Sequence, residues 1–364
     1  MELQRLKEEI KGVKDPRRAY GNLRHNLEDI IVIGLMTIIC IGEDFTDMEN
    51  FGIERIEWLK TFLELPFGIP DSDTFRRVYE KINPKELSEC LNNWLAVSRE
   101  TGSVVNIDGK TIRGSGNAAH KAYHVVSAWA AENQITLGEI KTDEKSNEIT
   151  AVPELLDMID VEGSIVTADA MSCQKDISRK ITEKNADYVI GLKGNQETLH
   201  DDVELYFKEL AQGCEKAETK EKGHGRIEKR EYFLETDIDW LWQKPEWTNL
   251  NGIGMVKSTV AKNEVVRKET RFFITSLTDV DDFAYAVRKH WSIENQLHWC
   301  LDVVFREDSA RARKDNSPLN LNVLRKTALS LLKQADMGRI GLRKKMFKAA
   351  LNCSVLENII FLKK

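Results

Sequence analysis

The chain has 364 residues, of which 41% are hydrophobic and 31% charged, the balance of an ordinary globular protein with about two or three domains. Its net charge of −6 argues at first against a nucleic-acid partner, because proteins that bind phosphates usually carry an excess of Lys and Arg. The longest apolar run, Ile30–Ile41, is too short to span a bilayer, and the N-terminus lacks the apolar core of a signal peptide.

The first hundred residues are predicted to be helical. Asn26–Ile41 has the pattern of a buried core helix, and Asp47–Leu63 has that of an amphipathic one. Pro70 and the cluster Asp71–Asp73 signal the start of another helix, and a further helix is expected over about Pro84–Arg99. No strand signal appears in this region.

The pattern changes to that of a mixed sheet after residue 101. Five short runs have the composition of strands: Ser103–Asp108, Tyr123–Ala131, Ile135–Lys141, Ser164–Ala168 and Asp187–Leu192. Helices are predicted over Val152–Ile159 and Lys175–Lys184, so the order is β-β-β-α-β-α-β. Three strands joined tightly and two reached through helices imply a mixed sheet with helices packed on its faces.

A β-rich insertion is predicted over about residues 213–278. Its antiparallel strands are expected at Lys229–Glu235, Gly252–Ala261 and Val265–Leu277. The chain is predicted to be helical again from Asp281 to Val304.

The positive charge is concentrated near the C-terminus, where a helix is expected over about Leu319–Lys333. Eleven basic and two acidic residues between Ser309 and Lys348 give that segment a net charge of +9, which leaves −15 for the rest of the chain. The overall charge is therefore a poor guide to whether this protein binds DNA.

The six cysteines are scattered and form no CxxC pair. This distribution argues against a zinc site or a disulfide framework, and a reducing cytoplasm is the expected location.

Two acidic residues lie at the ends of predicted core strands, Asp108 in NIDGK and Asp169 in TADAM. Ligand-binding carboxylates converge at strand ends in open α/β sheets, and a buried carboxylate needs a partner such as a divalent cation. Each Asp could instead cap the turn or helix that follows it, and the sequence leaves this alternative open.

A third acid, Glu294, lies in the helical stretch RKHWSIENQLHWCLDVVF. On an α-helix Glu294, His298 and Asp302 would lie along one side. A helix so rich in acids, His and Trp is unlike an ordinary solvated surface, although a Trp-anchored core helix with a polar face explains the same pattern.

These motifs together resemble a known family. In chain order they are IDGKTIRGS, HVVSAW, IKTDEKSNEITAVPELL, TADAMSCQKDI, GLKGNQ, GHGRIEKR and RKHWSIENQLHWCLDVVFREDSARAR. With the N-terminal GIPDSDTFRRV and C-terminal GLRKKMFKAA stretches, they resemble insertion-sequence transposases of the H-repeat-associated type over nearly the whole chain. That group belongs to the DDE transposases, whose catalytic core has the ribonuclease-H-like fold.

The resemblance implies a fold and a set of roles. The fold class is α/β: a ribonuclease-H-like mixed sheet with flanking helices, a β-rich insertion and an N-terminal helical domain. Asp108 and Asp169 match the first and second catalytic Asp, and Glu294 matches the catalytic Glu. These carboxylates would be the ligands of two Mg²⁺ ions, for which Mn²⁺ is expected to substitute.

Around Glu294 the chain departs from the wider group, which often has Tyr, Arg and Lys at fixed spacings. Those positions hold Val287, His290 and Leu301 here. Arg288 and His298 are predicted to replace the missing contacts to the flanking phosphate.

Several further residues are predicted to bind DNA: Lys110, Arg113, Lys193, Asn195, His224 and Arg226. Solvated loop charges, a simple strand-to-helix turn and a mobile loop explain these residues nearly as well. Trp291 and Trp299 could stack on an extruded base, although a core position is the favoured interpretation of both.

The resulting prediction is a DNA transposase. Residues 1–100 would form an N-terminal helical, DNA-binding domain, residues 101–308 the catalytic domain with its insertion, and residues 309–364 a basic C-terminal helical segment. The protein would bind the terminal inverted repeats of its element as a homodimer, cleave double-stranded DNA there and join the 3′-ends to target DNA. The alternatives are a metal-dependent nuclease without strand transfer and an inactive DNA-binding relic.

Overall fold

A computed structural model describes residues 2–17, 23–95, 102–117, 121–142, 148–209, 213–223, 225–262 and 265–361. The strands are β1 (Val104–Ile112), β2 (Tyr123–Ala130), β3 (Ile135–Thr142), β4 (Ile165–Ala168), β5 (Asp187–Leu192), β6 (Glu215–Gly223), β7 (Arg226–Glu235), β8 (Gly252–Lys262) and β9 (Val265–Thr275). The helices are α1 (Glu2–Ile10), α2 (Leu27–Ile39), α3 (Phe45–Glu54), α4 (Ile56–Leu59), α5 (Ser72–Lys81), α6 (Pro84–Leu95), α7 (Glu148–Met158), α8 (Lys175–Glu183), α9 (Glu197–Glu209), α10 (Val280–Ser292), α11 (Ser317–Gln334), α12 (Leu342–Leu351) and α13 (Cys353–Ile360).

The described strands form one sheet in the order β3-β2-β1-β4-β5-β9-β8-β7-β6. β1 pairs antiparallel with β2, which pairs antiparallel with β3, whereas β1, β4 and β5 run parallel to one another. This arrangement of the first five strands is the predicted ribonuclease-H-like sheet, and the prediction is confirmed. The predicted β-rich insertion is also present, and its strands continue the same sheet through antiparallel pairing of β9 with β5.

Side chains alternate between two apolar layers along the central strands, as expected for a sheet that is buried on both faces. Val104 belongs to one apolar cluster and Val105 to the other, and Ile165 and Val166 divide in the same way. One face packs against α7, α8 and α9. The other face packs against α10, α11 and the N-terminal helices.

Two strands differ from their predicted form. β1 does not end at Asp108 but continues to Ile112 beside β2, while its parallel neighbour β4 ends at Ala168, opposite Ile107. The edge predicted at Asp108 is therefore the end of β4. Strand β6 was not predicted, because its sequence EKAETKEKG has almost no apolar residue and lies largely exposed.

Helix α7 begins earlier than predicted. The expected start at Val152 treated Pro153 as a first-turn residue, but the helix is already formed at Glu148 and contains Pro153. This extra turn places Glu148 in the fold, which is important for the site below.

The N-terminal and C-terminal helices share one apolar core. Helix α11 is buried from Ser317 to Leu332 and packs against α2, α5, α6 and β3. Asn320 ties it to α5, because its amide donates to the Tyr79 carbonyl at 2.7 Å. The +9 segment is thus partly an internal element.

None of the described helices combines the length and the apolar character needed to cross a bilayer.

Replacing Gly254 with alanine is predicted to destabilise the fold by about 1–3 kcal/mol. A Cβ on this β8 residue would overlap the ring of the buried Phe283, which anchors α10 to the sheet. Urea unfolding would measure the loss. Gly223→Ala is the matched control, because no atom lies within 4 Å of its Cβ position and its free energy of unfolding should stay within about 0.5 kcal/mol. Equal stability of both variants would contradict the prediction.

Candidate active site

The parallel pairing of β1 and β4 brings Asp108 and Asp169 side by side. Ile107 pairs with Ala168, and each of these residues is followed directly by one of the two acids. Because β4 ends at this point, the two carboxylates lie where the sheet opens. The two acids are therefore neighbours, although only Asp169 follows the end of its strand.

Two residues earlier on the same strand faces, Asn106 and Thr167 form a buried polar pair. The Thr167 hydroxyl donates to Asn106 Oδ1 at 2.7 Å and lies 2.9 Å from His290 Nδ1. The Asn106 amide donates to the Lys289 carbonyl at 2.9 Å and to the Ser292 hydroxyl at 2.8 Å. This network fixes the end of α10, which leads into the third acid, against the two strands that carry the aspartates.

The segment that carries Glu294 is not the predicted α-helix. Residues Ile293–His298 and Cys300–Val304 continue α10 as π-helix, in which hydrogen bonds run from residue i to i+5. Wider turns re-aim the side chains relative to an α-helix. Glu294 is exposed, and its charge acts on Asp108.

Two other side chains of this π-helical segment face β1. His298 Nδ1 lies 3.5 Å from Asp108 Oδ2, and Asp302 Oδ1 lies 2.7 Å from Lys110 Nζ. Both contacts join this segment to β1, so it lies along that strand, with His298 at Asp108 and Asp302 at Lys110.

Sequence reasoning missed Glu148 and His124, which are buried beside the aspartates. His124 Nε2 lies 2.6 Å from Glu148 Oε1, and its Nδ1 lies 3.0 Å from Thr111 Oγ1. A Cβ on Gly109 would overlap both Glu148 Oε1 and His124 Nε2, so only glycine allows this approach. Both residues lie in quoted motifs, HVVSAW and SNEITAVPELL, but neither stands at a predicted strand end.

The electrostatics of the site reflect first the burial of its carboxylates and then their crowding. Burial raises the pKa of Asp108 to about 7, against the opposing hydrogen bond from the Gly109 amide, and three acids raise it further: Asp169, Glu148 and Glu294. Burial and then the charge of Glu148 also raise the pKa of Asp169, although two backbone amides and Lys193 oppose the shift. A cation placed among these carboxylates would relieve their mutual repulsion.

A buried ion-pair cluster supports the other side of the site. Lys110 Nζ lies 2.8 Å from Glu307 Oε2, in addition to its contact with Asp302. The fully buried Glu307 also accepts a hydrogen bond from the Asn322 amide at 2.6 Å and faces Arg325 at 3.8 Å. Burial opposes the charge of Glu307, but Lys110 and Arg325 hold its pKa below the usual value. The cluster joins β1, the segment after the π-helix and α11.

His298 is uncharged in this setting. Burial lowers its pKa to about 3, and the nearby charges of Lys326 and Lys110 contribute to the shift. A neutral imidazole 3.5 Å from Asp108 does not neutralise the carboxylate.

The predicted DNA-binding residues on the catalytic core have different environments. The Lys110 side chain is largely buried, and its ammonium group forms ion pairs with Asp302 and Glu307. Arg113 is 80% exposed and lies 3.7 Å from Asp308. Lys193 and Asn195 are exposed in the turn after β5, next to the segment that follows Asp169, since the Asn195 amide donates to the Ala170 carbonyl at 2.7 Å.

The remaining predicted DNA-binding residues are on or near the insertion. Arg226 is exposed and lies 3.6 Å from Glu228. Arg288 on α10 makes two hydrogen bonds, at 2.8 and 2.7 Å, to the carboxylate of Glu221 on β6. His224 lies outside the described residues.

The two tryptophans near Glu294 are not both in the core. Trp291 is half-buried and stacks against the guanidinium of Arg271 at 4.5 Å. Trp299 is 53% exposed, so the favoured core interpretation is wrong for it.

The basic C-terminal segment is only partly available to a ligand. Arg325, Lys326 and Lys345 are buried. Lys326 pairs with Glu139 and donates to the Ser127 hydroxyl at 2.8 Å, beside the site. Seven of the eleven basic residues remain exposed: Arg311, Arg313, Lys314, Arg339, Arg343, Lys344 and Lys348.

The predicted carboxylates suit a hard divalent cation, which prefers oxygen ligands. Burial is the largest cause of the raised pKa values of Asp108 and Asp169, and neighbouring acids add to it, so a bound cation would stabilise both charges. Among the described residues, the ligand atoms of only one group of three lie within 4.8 Å of one another: His200, Asp201 and Glu204. That group lies on the outer side of α9, whereas the oxygens of the predicted triad are more widely spaced.

Comparisons with known proteins agree with the sequence motifs. A family model described as Transposase DDE domain matches residues 99–331, and one described as DDE_Tnp_1-associated matches residues 7–95. The chain is 37% identical to "Putative transposase YncI" of Escherichia coli O157:H7, over 99% of this chain and 95% of that protein. It is also 37% identical to "H repeat-associated putative transposase YhhI" of Escherichia coli strain K12, over 99% of this chain and 98% of that protein.

Solved structures are similar at low identity, among them a piggyBac transposase synaptic complex with hairpin DNA. The match has a TM-score of 0.42 and 8% identity, and it covers 99% of this chain and 81% of the other. The order of the described strands in the sheet, rather than this match, assigns the fold.

Removing the amide of Asn106 is predicted to destabilise the protein by about 2–4 kcal/mol, because Asn106→Ala leaves the buried Thr167 and Ser292 hydroxyls short of a partner. Chemical denaturation measures the change. Asn295→Ala is the matched control, since this exposed side chain bonds only within its own helix, and a change within about 0.5 kcal/mol is expected. A similar small effect at Asn106 would show that the network does not hold α10 in place.

Proposed function

Because this chain belongs to the Transposase DDE domain family, we propose that it binds the ends of its insertion sequence, cleaves the DNA and joins the 3′-ends to target DNA. The observation that carries this proposal is the register of β1 and β4, which brings Asp108 and Asp169 together beside the Glu294 helix. These are the three acids that the family resemblance matched to the catalytic triad.

Asp108, Asp169 and Glu294 would hold two Mg²⁺ ions, with Mn²⁺ able to substitute. When bound, such a pair supplies an activated water or 3′-hydroxyl and stabilises the leaving oxygen. Asp108, which directly follows the last paired residue of β1 opposite β4, would contribute to the binding of both ions. Asp169 and Glu294 can then serve different ions, and the wide spacing of the three side chains fits this division.

DNA contacts are proposed for the predicted basic residues that remain exposed. Arg113 and Lys193 flank the aspartate edge and can contact phosphates close to the cleavage point, and Arg226 can do so from the insertion. Arg288 can contact a phosphate only if its ion pair with Glu221 breaks. The buried Lys110 and His298 act better as supports of the site than as primary DNA contacts.

The partner is proposed to be double-stranded DNA carrying terminal inverted repeats, bound by a homodimer because two element ends must be paired. We propose that residues 1–100 are the DNA-binding part, residues 101–308 the catalytic part and residues 309–364 the basic C-terminal part of the protein. The shared core of α2, α5 and α11 couples the first and last of these parts.

A strand-transfer assay with pre-cut terminal-repeat DNA, target DNA and Mg²⁺ tests this proposal. Asp108→Asn and Glu294→Gln are each expected to lower the rate by more than about a thousandfold, as for the loss of a catalytic group. Asp201→Asn is the matched control, because it removes an exposed carboxylate from the other acidic group, and it should retain the full rate.

Three results would count against the proposal. Cleavage without joined products would identify a metal-dependent nuclease, and binding without cleavage would identify a DNA-binding relic. Full activity of Asp108→Asn would show that the chemistry lies elsewhere in the protein.

A further inference from the structure

We propose that Glu148 is a fourth carboxylate of the reaction centre and that His124 is the residue that positions it. This inference rests on the proposed function, because it assigns an additional oxygen donor to the same divalent-cation centre. It goes beyond the three acids that the family resemblance supplies.

Glu148 reaches the site from the face of the sheet opposite to α10. It lies in the first described turn of α7, which packs against the short turn after Asp169. Its Oε1 atom occupies the space that a Cβ on Gly109 would fill, directly after Asp108 in the chain. The carboxylate therefore enters the gap at the end of β4, where the backbone of β1 has no neighbour on that side.

The contacts of His124 fix the position of the Glu148 carboxylate. Residues 111 and 124 are opposite one another in the β1–β2 pairing, so the Thr111 hydroxyl lies 3.0 Å from Nδ1. Nε2 then faces Glu148 Oε1 at 2.6 Å. A carboxylate oxygen can only accept, so Nε2 donates and Nδ1 is free to accept from Thr111. Both side chains are about 5% exposed, and this pairing fixes one Glu148 oxygen beside Gly109.

Among the contacts of the described residues, Glu148 is held through Oε1, which faces His124 at 2.6 Å. Its place beside Gly109 puts a buried carboxylate next to the strand that carries Asp108. An acid in the first turn of a helix stabilises that helix even when its side chain faces solvent. Burial of the acid on the side of the sheet gains nothing more for the helix, whereas a divalent cation at the aspartate edge would gain an oxygen ligand.

Mn²⁺ binding to the full-length protein, followed by electron paramagnetic resonance of the free ion, tests this inference without reference to activity. Glu148→Gln keeps the size of the side chain and an acceptor for His124, and it is expected to weaken Mn²⁺ binding about tenfold or more. His124→Ala is expected to weaken binding by a similar factor, and His124→Gln, which can still donate near the Nε2 position, should recover part of it.

Glu80→Gln is the matched control. Glu80 is a buried acid on α5. Its ion pairs are with Arg76 and Lys314, and neither of these residues belongs to the proposed centre. Its replacement should lower the melting temperature and leave the Mn²⁺ affinity unchanged. A purely structural Glu148 would behave in the same way.

The outcomes separate this inference from the proposed function. Weaker Mn²⁺ binding in Glu148→Gln, together with loss of binding in Asp108→Asn, supports both. Unchanged affinity in Glu148→Gln with loss in Asp108→Asn overturns the role of Glu148 and leaves the proposed function standing. Wild-type affinity in Asp108→Asn overturns the centre itself, and with it the role of Glu148.

Discussion

The buried hydrogen bond between Asn106 and Thr167 is the contact on which the arrangement of the site depends. It joins β1 to β4 on the face that carries the aspartates, and through Ser292 and His290 it also fixes the end of α10. Apolar side chains at these positions would pack but would not define how the helix is rotated. Buried polar groups must be paired, so the network admits one arrangement of strand and helix.

The rest of the site follows from that arrangement. The change from α-helix to π-helix after Ser292 lets the next turns run along β1, where His298 meets Asp108. The cluster of Lys110 and Glu307 then fixes the far end of this segment to α11. Charges that the sequence suggests for DNA binding are thus used partly inside the protein. The net charge of −6 is equally misleading, because part of it lies in the carboxylates of the site.

Much of the fold and part of the site could be predicted from the sequence. The apolar runs before Asp108 and Asp169 are clear because buried strands require them, and they predicted β1, β4 and the order of strands and helices along this part of the chain. Strand β6 could not be predicted, because pairing with β7 stabilises it rather than burial of its own side chains. Glu148 was missed because no local pattern shows that a helix start on one face reaches carboxylates on the other. The π-helix was missed because hydrophobic spacing does not distinguish it from an α-helix over two turns.

The most direct measurement of the central claim is the anomalous scattering of Mn²⁺ in crystals of the protein with terminal-repeat DNA. The account predicts peaks within about 2.0–2.6 Å of the Asp108 carboxylate, with Asp169 and Glu294 completing the contacts. A map in which Mn²⁺ binds elsewhere, for example at His200, Asp201 and Glu204, and leaves Asp108 without a peak would contradict it.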